Sequence, residues 1–208
     1  MSGQGVRLVH LVDDDEAIRR SVGFALKTSG FQVRVYQSGN EILKTASDLE
    51  PGCILLDIRM PGMDGLEVQE ALKSKGIALP VIIMTGHGDV SLAVRAMKAG
   101  AIDFIEKPFE KTVLLSAIEH GLGRLEKLAS NFKEANEAAV KLQLLTGRER
   151  DVLDGLAKGL PNKSIAFDLG ISPRTVEIHR ANLMSKLGAK SLSEALRIAF
   201  AAEDDQSA

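Results

Sequence analysis

The sequence predicts a doubly wound, five-stranded parallel α/β domain with strand order 2-1-3-4-5, followed by a small all-α domain of four helices. Three observations carry this reading. Five short β-rich runs alternate with helical patterns over the first 120 residues. Several of the runs, such as Cys-Ile-Leu-Leu from 53 and Val-Ile-Ile-Met from 81, are continuously apolar, as strands buried on both faces are. Beyond residue 146 the β-rich runs stop, and Gly159, Gly170 and Gly188 punctuate helical stretches.

Strands are expected at 7–12, 32–36, 53–57, 81–85 and 103–106, with helices near 15–29, 38–47, 64–74, 90–99 and 110–128. From there the apolar residues Leu125, Leu128, Phe132, Ala135, Ala139 and Leu142 follow at intervals of 3, 4, 3, 4 and 3, with no Pro or Gly between 124 and 146. Two arrangements fit that spacing, a coiled-coil seam and one amphipathic helix folded back on its own domain. Thr146-Gly-Arg-Glu149 has the spacing of a capping box and opens the second module. Its helices are expected near 147–158, 162–169, 173–187 and 191–202. The chain thus divides into 1–125, a helical linker 126–145, and 146–208, whose last six residues read as disordered.

Composition excludes several classes. Aromatics make up 4% of the 208 residues, with no Trp and one Tyr, which argues against a stacking platform for single-stranded nucleic acid. Cys53 is alone, so neither an intramolecular disulfide nor an all-cysteine zinc site can form. Apolar runs of four or five residues fall far short of the ~20 that span a bilayer, and no apolar signal core opens the chain. The expectation is a soluble, cytoplasmic protein with no membrane partner. Residues 1–125 carry 14 basic and 16 acidic side chains, 126–145 three of each, and 146–202 nine basic and six acidic. Any nucleic-acid contact is therefore expected at the back.

A parallel sheet places its chemistry outside the carboxyl ends of its strands. Those ends carry Asp13, Asp14 and Asp15, then Asp57, then Thr85, then Lys107-Pro108. The first and third strands are neighbours in the order 2-1-3-4-5, so Asp13, Asp14 and Asp57 share one crevice. Carboxylates packed that closely repel, and a divalent cation relieves them. An all-oxygen site with few protein ligands suits Mg²⁺. Asp57 is then a candidate nucleophile for a phosphoryl group, with Lys107 supplying positive charge and Thr85 a hydroxyl to a phosphoryl oxygen. His87 has no partner at metal or triad spacing, and Cys53 begins a buried strand; neither is read as functional.

The motifs Val-Asp13-Asp14-Asp-Glu, Leu-Leu-Asp57-Ile-Arg-Met-Pro-Gly-Met-Asp-Gly, Met-Thr85-Gly-His-Gly-Asp and Phe-Ile-Glu-Lys107-Pro-Phe resemble the receiver domain of two-component response regulators over residues 5–125. The resemblance implies a flavodoxin-like fold and Asp57 as phosphoacceptor. It implies Asp14 as a direct Mg²⁺ ligand, Asp13 acting mostly through water, and the backbone carbonyl of Arg59 as a further ligand. Thr85 and Phe104 become switch residues, Lys107 the phosphate contact, and Lys107-Pro108 a cis peptide. It also makes a dimer contact reasonable where Arg95 and Lys98 face Asp103 and Glu106.

In the back module, Ser172 and Pro173 open a helix on which Val176, His179, Leu183 and Leu187 fall within roughly 80° and face the core. Arg174, Glu177, Ile178, Ala181 and Ser185 take the other side. A short helix, a turn at Gly170 and this helix make a helix-turn-helix, whose second helix enters the major groove. Arg174 can reach a guanine edge or a phosphate, Glu177 a cytosine amine, and Ala181 a thymine methyl. Lys163, Arg180, Lys186 and Lys190 are phosphate candidates.

The runs Leu-Thr-Gly-Arg-Glu-Arg-Asp-Val-Leu and Ile-Ser-Pro-Arg-Thr-Val-Glu-Ile-His-Arg resemble the LuxR-type DNA-binding domain over 145–202. With the receiver motifs the chain is most like the FixJ subfamily, which shares Glu177. The resemblance implies a non-enzymatic regulator that transfers phosphate only to and from its own Asp57. A sensor histidine kinase phosphorylates it, and the phosphorylated homodimer binds double-stranded promoter DNA and meets RNA polymerase. An aspartyl-phosphate phosphatase would need a second acid where Arg59 stands. A protein-interaction or RNA-binding output is the remaining alternative.

Overall fold

The structure is a computed structural model and describes residues 7–86 and 90–203. His87 and residues 204–208 of the expected disordered tail lie outside the described residues. The chain divides into two compact units, Met1–Lys127 and Leu128–Ala208.

In the first unit β1 (Leu8–Val12), β2 (Gln32–Tyr36), β3 (Cys53–Asp57), β4 (Val81–Thr85) and β5 (Asp103–Glu106) form one parallel sheet in the order β2-β1-β3-β4-β5. The three inner strands are buried at every position, which explains their unbroken apolar runs; the outer strands β2 and β5 are largely open. Successive residues of a strand point to opposite faces, so each face has its own core. Ile54 and Leu56 pack with α2 (Gly39–Lys44), α3 (Gly65–Ser74) and α4 (Val90–Lys98). Leu55, between them, packs with α1 (Glu16–Lys27) and the start of α5 (Lys111–Gln143).

The end of α2 differs from the sequence expectation. α2 stops at Lys44 rather than near 47, and Ala46–Asp48 is a 3₁₀ turn. The Thr45 hydroxyl donates to the Ile42 carbonyl at 3.0 Å, an alternative bond that β-branched hydroxyl residues offer at helix ends. α5 runs unbroken for 33 residues into the expected helical linker 126–145, and the boundary between the two units falls within it. No Gly or Pro interrupts it between residues 124 and Gln143.

The second unit consists of α6 (Gly147–Ala157), α7 (Asn162–Leu169), α8 (Pro173–Leu187) and α9 (Leu192–Glu203) around Val152, Leu153, Leu156, Ile165, Val176, Leu183 and Leu187. Gly170 and Gly188 close α7 and α8 in the left-handed region, at φ 65° and 67°. The capping box at α6 is complete: Glu149 donates its amide to the Thr146 hydroxyl, and Thr146 donates its amide to Glu149 Oε2. Glu149 is 3% exposed, and the same carboxylate accepts from Lys186 Nζ of α8 at 2.7 Å. The Lys186 ammonium, with the Thr146 amide, holds this carboxyl below the usual glutamate range. Lys186, expected on DNA phosphate, is thus engaged inside its own unit.

His10 is fully buried in β1, with Nδ1 3.1 Å from the Tyr36 hydroxyl and Nε2 2.9 Å from the Glu50 carbonyl oxygen. Burial keeps the imidazole below its ordinary 6.5, against the opposing pull of the Glu50 carbonyl. Below that pH the unfolded chain binds a proton that the fold refuses, so stability falls on acidification, by at most about 1.4 kcal/mol per unit. Tyr36 is the sole tyrosine and there is no Trp, so tyrosine emission reports this unit alone. Urea unfolding followed in that way should show a pH slope that His10→Asn flattens; equal slopes would clear His10 of the role. In the second unit, Lys186→Met leaves a buried carboxylate without its cation and should cost about 1–3 kcal/mol. Hydrogen exchange at α6 and α8 amides measures this, and Glu149→Gln added to Lys186→Met should recover part of it. Unchanged protection in Lys186→Met would contradict the pairing.

Candidate functional site

Strand register builds the first site. Val12 pairs with Leu56, so Asp13 and Asp57, each one residue further on, emerge side by side. Asp57 pairs in turn with Met84, and Thr85 with Glu106, which brings Thr85 and Lys107 to the same edge. Lys107 Nζ lies 2.7 Å from Asp13 Oδ2 and 2.6 Å from Asp57 Oδ1. Ligand oxygens of Asp13, Asp14 and Asp57 lie within 4.8 Å of one another, Asp13 and Asp57 buried and Asp14 exposed. Three convergent carboxylates, one open to solvent, fit a divalent metal site. Lys107–Pro108 is cis.

Burial pushes the Asp57 carboxyl above its usual range, with the hydrogen bond from Lys107 pulling the other way and Asp13 and Asp14 adding to the rise. Burial acts to lower the Lys107 ammonium, but its bonds to Asp13 and Asp57 outweigh that and raise it. The cluster is therefore strongly coupled, and its charge state answers to any anion or cation placed beside it.

Thr85 is buried, its hydroxyl 3.3 Å from the Gly86 carbonyl. Phe104, three residues before Lys107, is 46% exposed and lines an apolar hollow with Ala93, Val94, Met97 and Lys98. Arg59 is exposed in the loop after β3. Arg95 and Lys98 on α4 and Glu106 on β5 are exposed near that hollow, with Asp103 half-buried.

The second candidate site is on α8. Arg174, Glu177, Ile178 and Ala181 are exposed, Arg180 is half-buried, and Lys163 on α7 and Lys190 beyond α8 are exposed. Val176, Leu183 and Leu187 are buried and His179 half-buried, so the two faces divide as the periodicity requires. Arg174 and Glu177 pair at 3.0 Å across one turn, with 82% and 52% of their side chains open. So exposed a pair is weak, and a base edge can replace it.

Three contributors escaped sequence reasoning. Arg19 on α1 donates to the Asp13 backbone carbonyl at 2.7 Å, clamping the loop that carries the acidic pair. Gly65 begins α3 against the Asp57 carbonyl, where a Cβ would stand 2.4 Å from that oxygen. Glu149 is the partner of Lys186. For Arg19, a basic residue one turn into the helix after the acidic run was a readable signal; the other two depend on contacts that spacing does not show.

Residues 9–119 match the response regulator receiver domain, and residues 143–199 match the bacterial regulatory proteins of the luxR family. Over 193 residues the chain is 51% identical to the transcriptional regulatory protein FixJ of Rhizobium meliloti (strain 1021), covering 93% of this chain and 95% of that protein. It is 47% identical to FixJ of Azorhizobium caulinodans, with 93% and 92% covered. Among solved structures, full-length FixJ from B. japonicum aligns with a TM-score of 0.62 at 44% identity, covering 96% of this chain and 98% of that one. The response regulator StyR aligns at 0.74 and 40%, covering 92% and 97%. No helix among the described residues is long and apolar enough to cross a membrane. A receiver sheet with its acidic edge, joined to a LuxR-type helix-turn-helix, makes this chain a member of the FixJ-type response regulators, phosphorylation-activated regulators of transcription.

Proposed function

We propose that a sensor histidine kinase phosphorylates Asp57 in the cytoplasm, and that the phosphorylated chain dimerises and binds double-stranded promoter DNA, where it meets RNA polymerase. The observation that carries this reading is the buried Asp57 carboxylate at the end of β3, 2.6 Å from Lys107 and beside Asp13 and Asp14. An Asp57 oxygen forms the new bond to phosphorus as the donor's P–N bond breaks. Asp13, Asp14, Asp57 and the Arg59 carbonyl would hold Mg²⁺, Asp13 partly through water. When bound, that ion neutralises charge on the transferring group. The only chemistry is at this chain's own Asp57, including slow hydrolysis of its phosphate.

Lys107 gives up a carboxylate partner to hold the phosphoryl group, and the Thr85 hydroxyl turns toward a phosphoryl oxygen. Space vacated beside Thr85 lets Phe104 swing inward from its exposed position, which reshapes the hollow between α4 and β5. That face, apolar at Val94, Met97 and Phe104 and flanked by Arg95, Lys98 and Glu106, suits the receiver dimer. On α8, Arg174, Glu177, Ile178 and Ala181 face the major groove, while Lys163, Arg180, Lys190 and the exposed Lys186 contact phosphates.

Two experiments test these assignments. Wild type incubated with Mg²⁺ and a small acyl phosphate should gain one phosphate by intact mass, and Asp57→Asn none; chelating the metal should abolish the gain. A phosphate on Asp57→Asn would displace the assignment. Glu177→Ala should change the base preferred at one position of the selected DNA site, at about 1–3 kcal/mol. An unaltered preference would take Glu177 out of base reading.

A further inference from the structure

Every residue of α5 from Glu126 to Glu134 is exposed among the described residues. Yet Leu128 and Phe132 stand one turn apart in that stretch with 52% and 64% of their surfaces open. With Leu125, Phe132 and Ala139 at heptad position a, Leu128, Ala135 and Leu142 fall at d. The six charged residues of 125–142 are Glu126, Lys127, Lys133, Glu134, Glu137 and Lys141, and all of them then fall at b, c or f. The e and g flanks hold Ala129, Asn131, Asn136 and Ala138. Flanks that are small and uncharged let two helices approach closely, and they raise no repulsion when the same face is presented twice. The face is complementary to itself.

We propose that α5 pairs in parallel and in register with α5 of a second copy of this chain, through Leu125, Leu128 and Phe132. Ala135 and Ala138 are already buried, and Leu142 packs on the core of the second unit. The pairing is therefore confined to the turns from Leu125 to Phe132. Those turns are too short to hold two chains alone, so the contact tightens a dimer whose main face lies elsewhere. The parallel orientation rests on the promoter-binding reading, in which two receivers gather at one end and two output modules at the other.

A single introduced cysteine can report the contact, because Cys53 is the only native one, is buried, and has its thiol pushed up to about 12 by burial. Full-length Phe132→Cys at position a and Ser130→Cys at position f are compared after Mg²⁺ and acyl phosphate treatment, under one mild oxidant. Phe132→Cys should form disulfide-linked dimer about ten-fold faster or more. Light scattering on wild type separates the two ways to fail. A dimer whose two variants cross-link at equal rates overturns the helix pairing alone, whereas a chain that stays monomeric overturns the dimer reading with it. Because Phe132 is exposed in the single chain, Phe132→Glu and Phe132→Lys leave folding intact. Each should weaken the dimer about ten-fold, and mixing the two should restore it. Two weakened variants that gain nothing on mixing would overturn the in-register arrangement.

Discussion

The receiver site is built on three carboxylates and one ammonium crowded at the carboxyl edge of a parallel sheet. At about 5 Å, two like charges repel by roughly 3 kcal/mol at an effective dielectric constant of about 20. The sheet accepts this because its register leaves no alternative: Val12 beside Leu56 dictates Asp13 beside Asp57. Lys107, bonded to both, offsets part of that repulsion.

Much of this was legible in the sequence because it depends on strand order and strand ends. β2, β3, β4 and β5 stand where the β-rich runs end, and the apolar runs are the inner strands because those are covered on both faces. Helix ends were less legible. α2 closes early on the Thr45 hydroxyl, a local competition that apolar periodicity does not register. The run of α5 into the linker was legible, because no Gly or Pro interrupts it.

Long-range polar contacts were not legible at all. Lys186 is exposed, as a phosphate candidate must be, but spacing does not show its bond to Glu149, which lies 37 residues away and reads as a capping residue, which it also is. His10 sits in an apolar run and gives no sign of its bonds to Tyr36 and Glu50. The same holds for Gly65, whose missing side chain lets α3 start against the Asp57 carbonyl. A one-dimensional pattern shows which face a residue takes and leaves open what it meets there.

In the proposed function, phosphate at Asp57 regulates DNA binding by α8. The most direct measurement is the affinity of the full-length chain for its selected duplex across a salt series, with and without phosphorylation, beside Asp57→Asn under the same treatment. The account predicts tighter binding, by about ten-fold or more, for the phosphorylated wild type only, since two coupled output modules engage one site. Equal affinity of the phosphorylated and unphosphorylated chains, or an equal gain in Asp57→Asn, would contradict it.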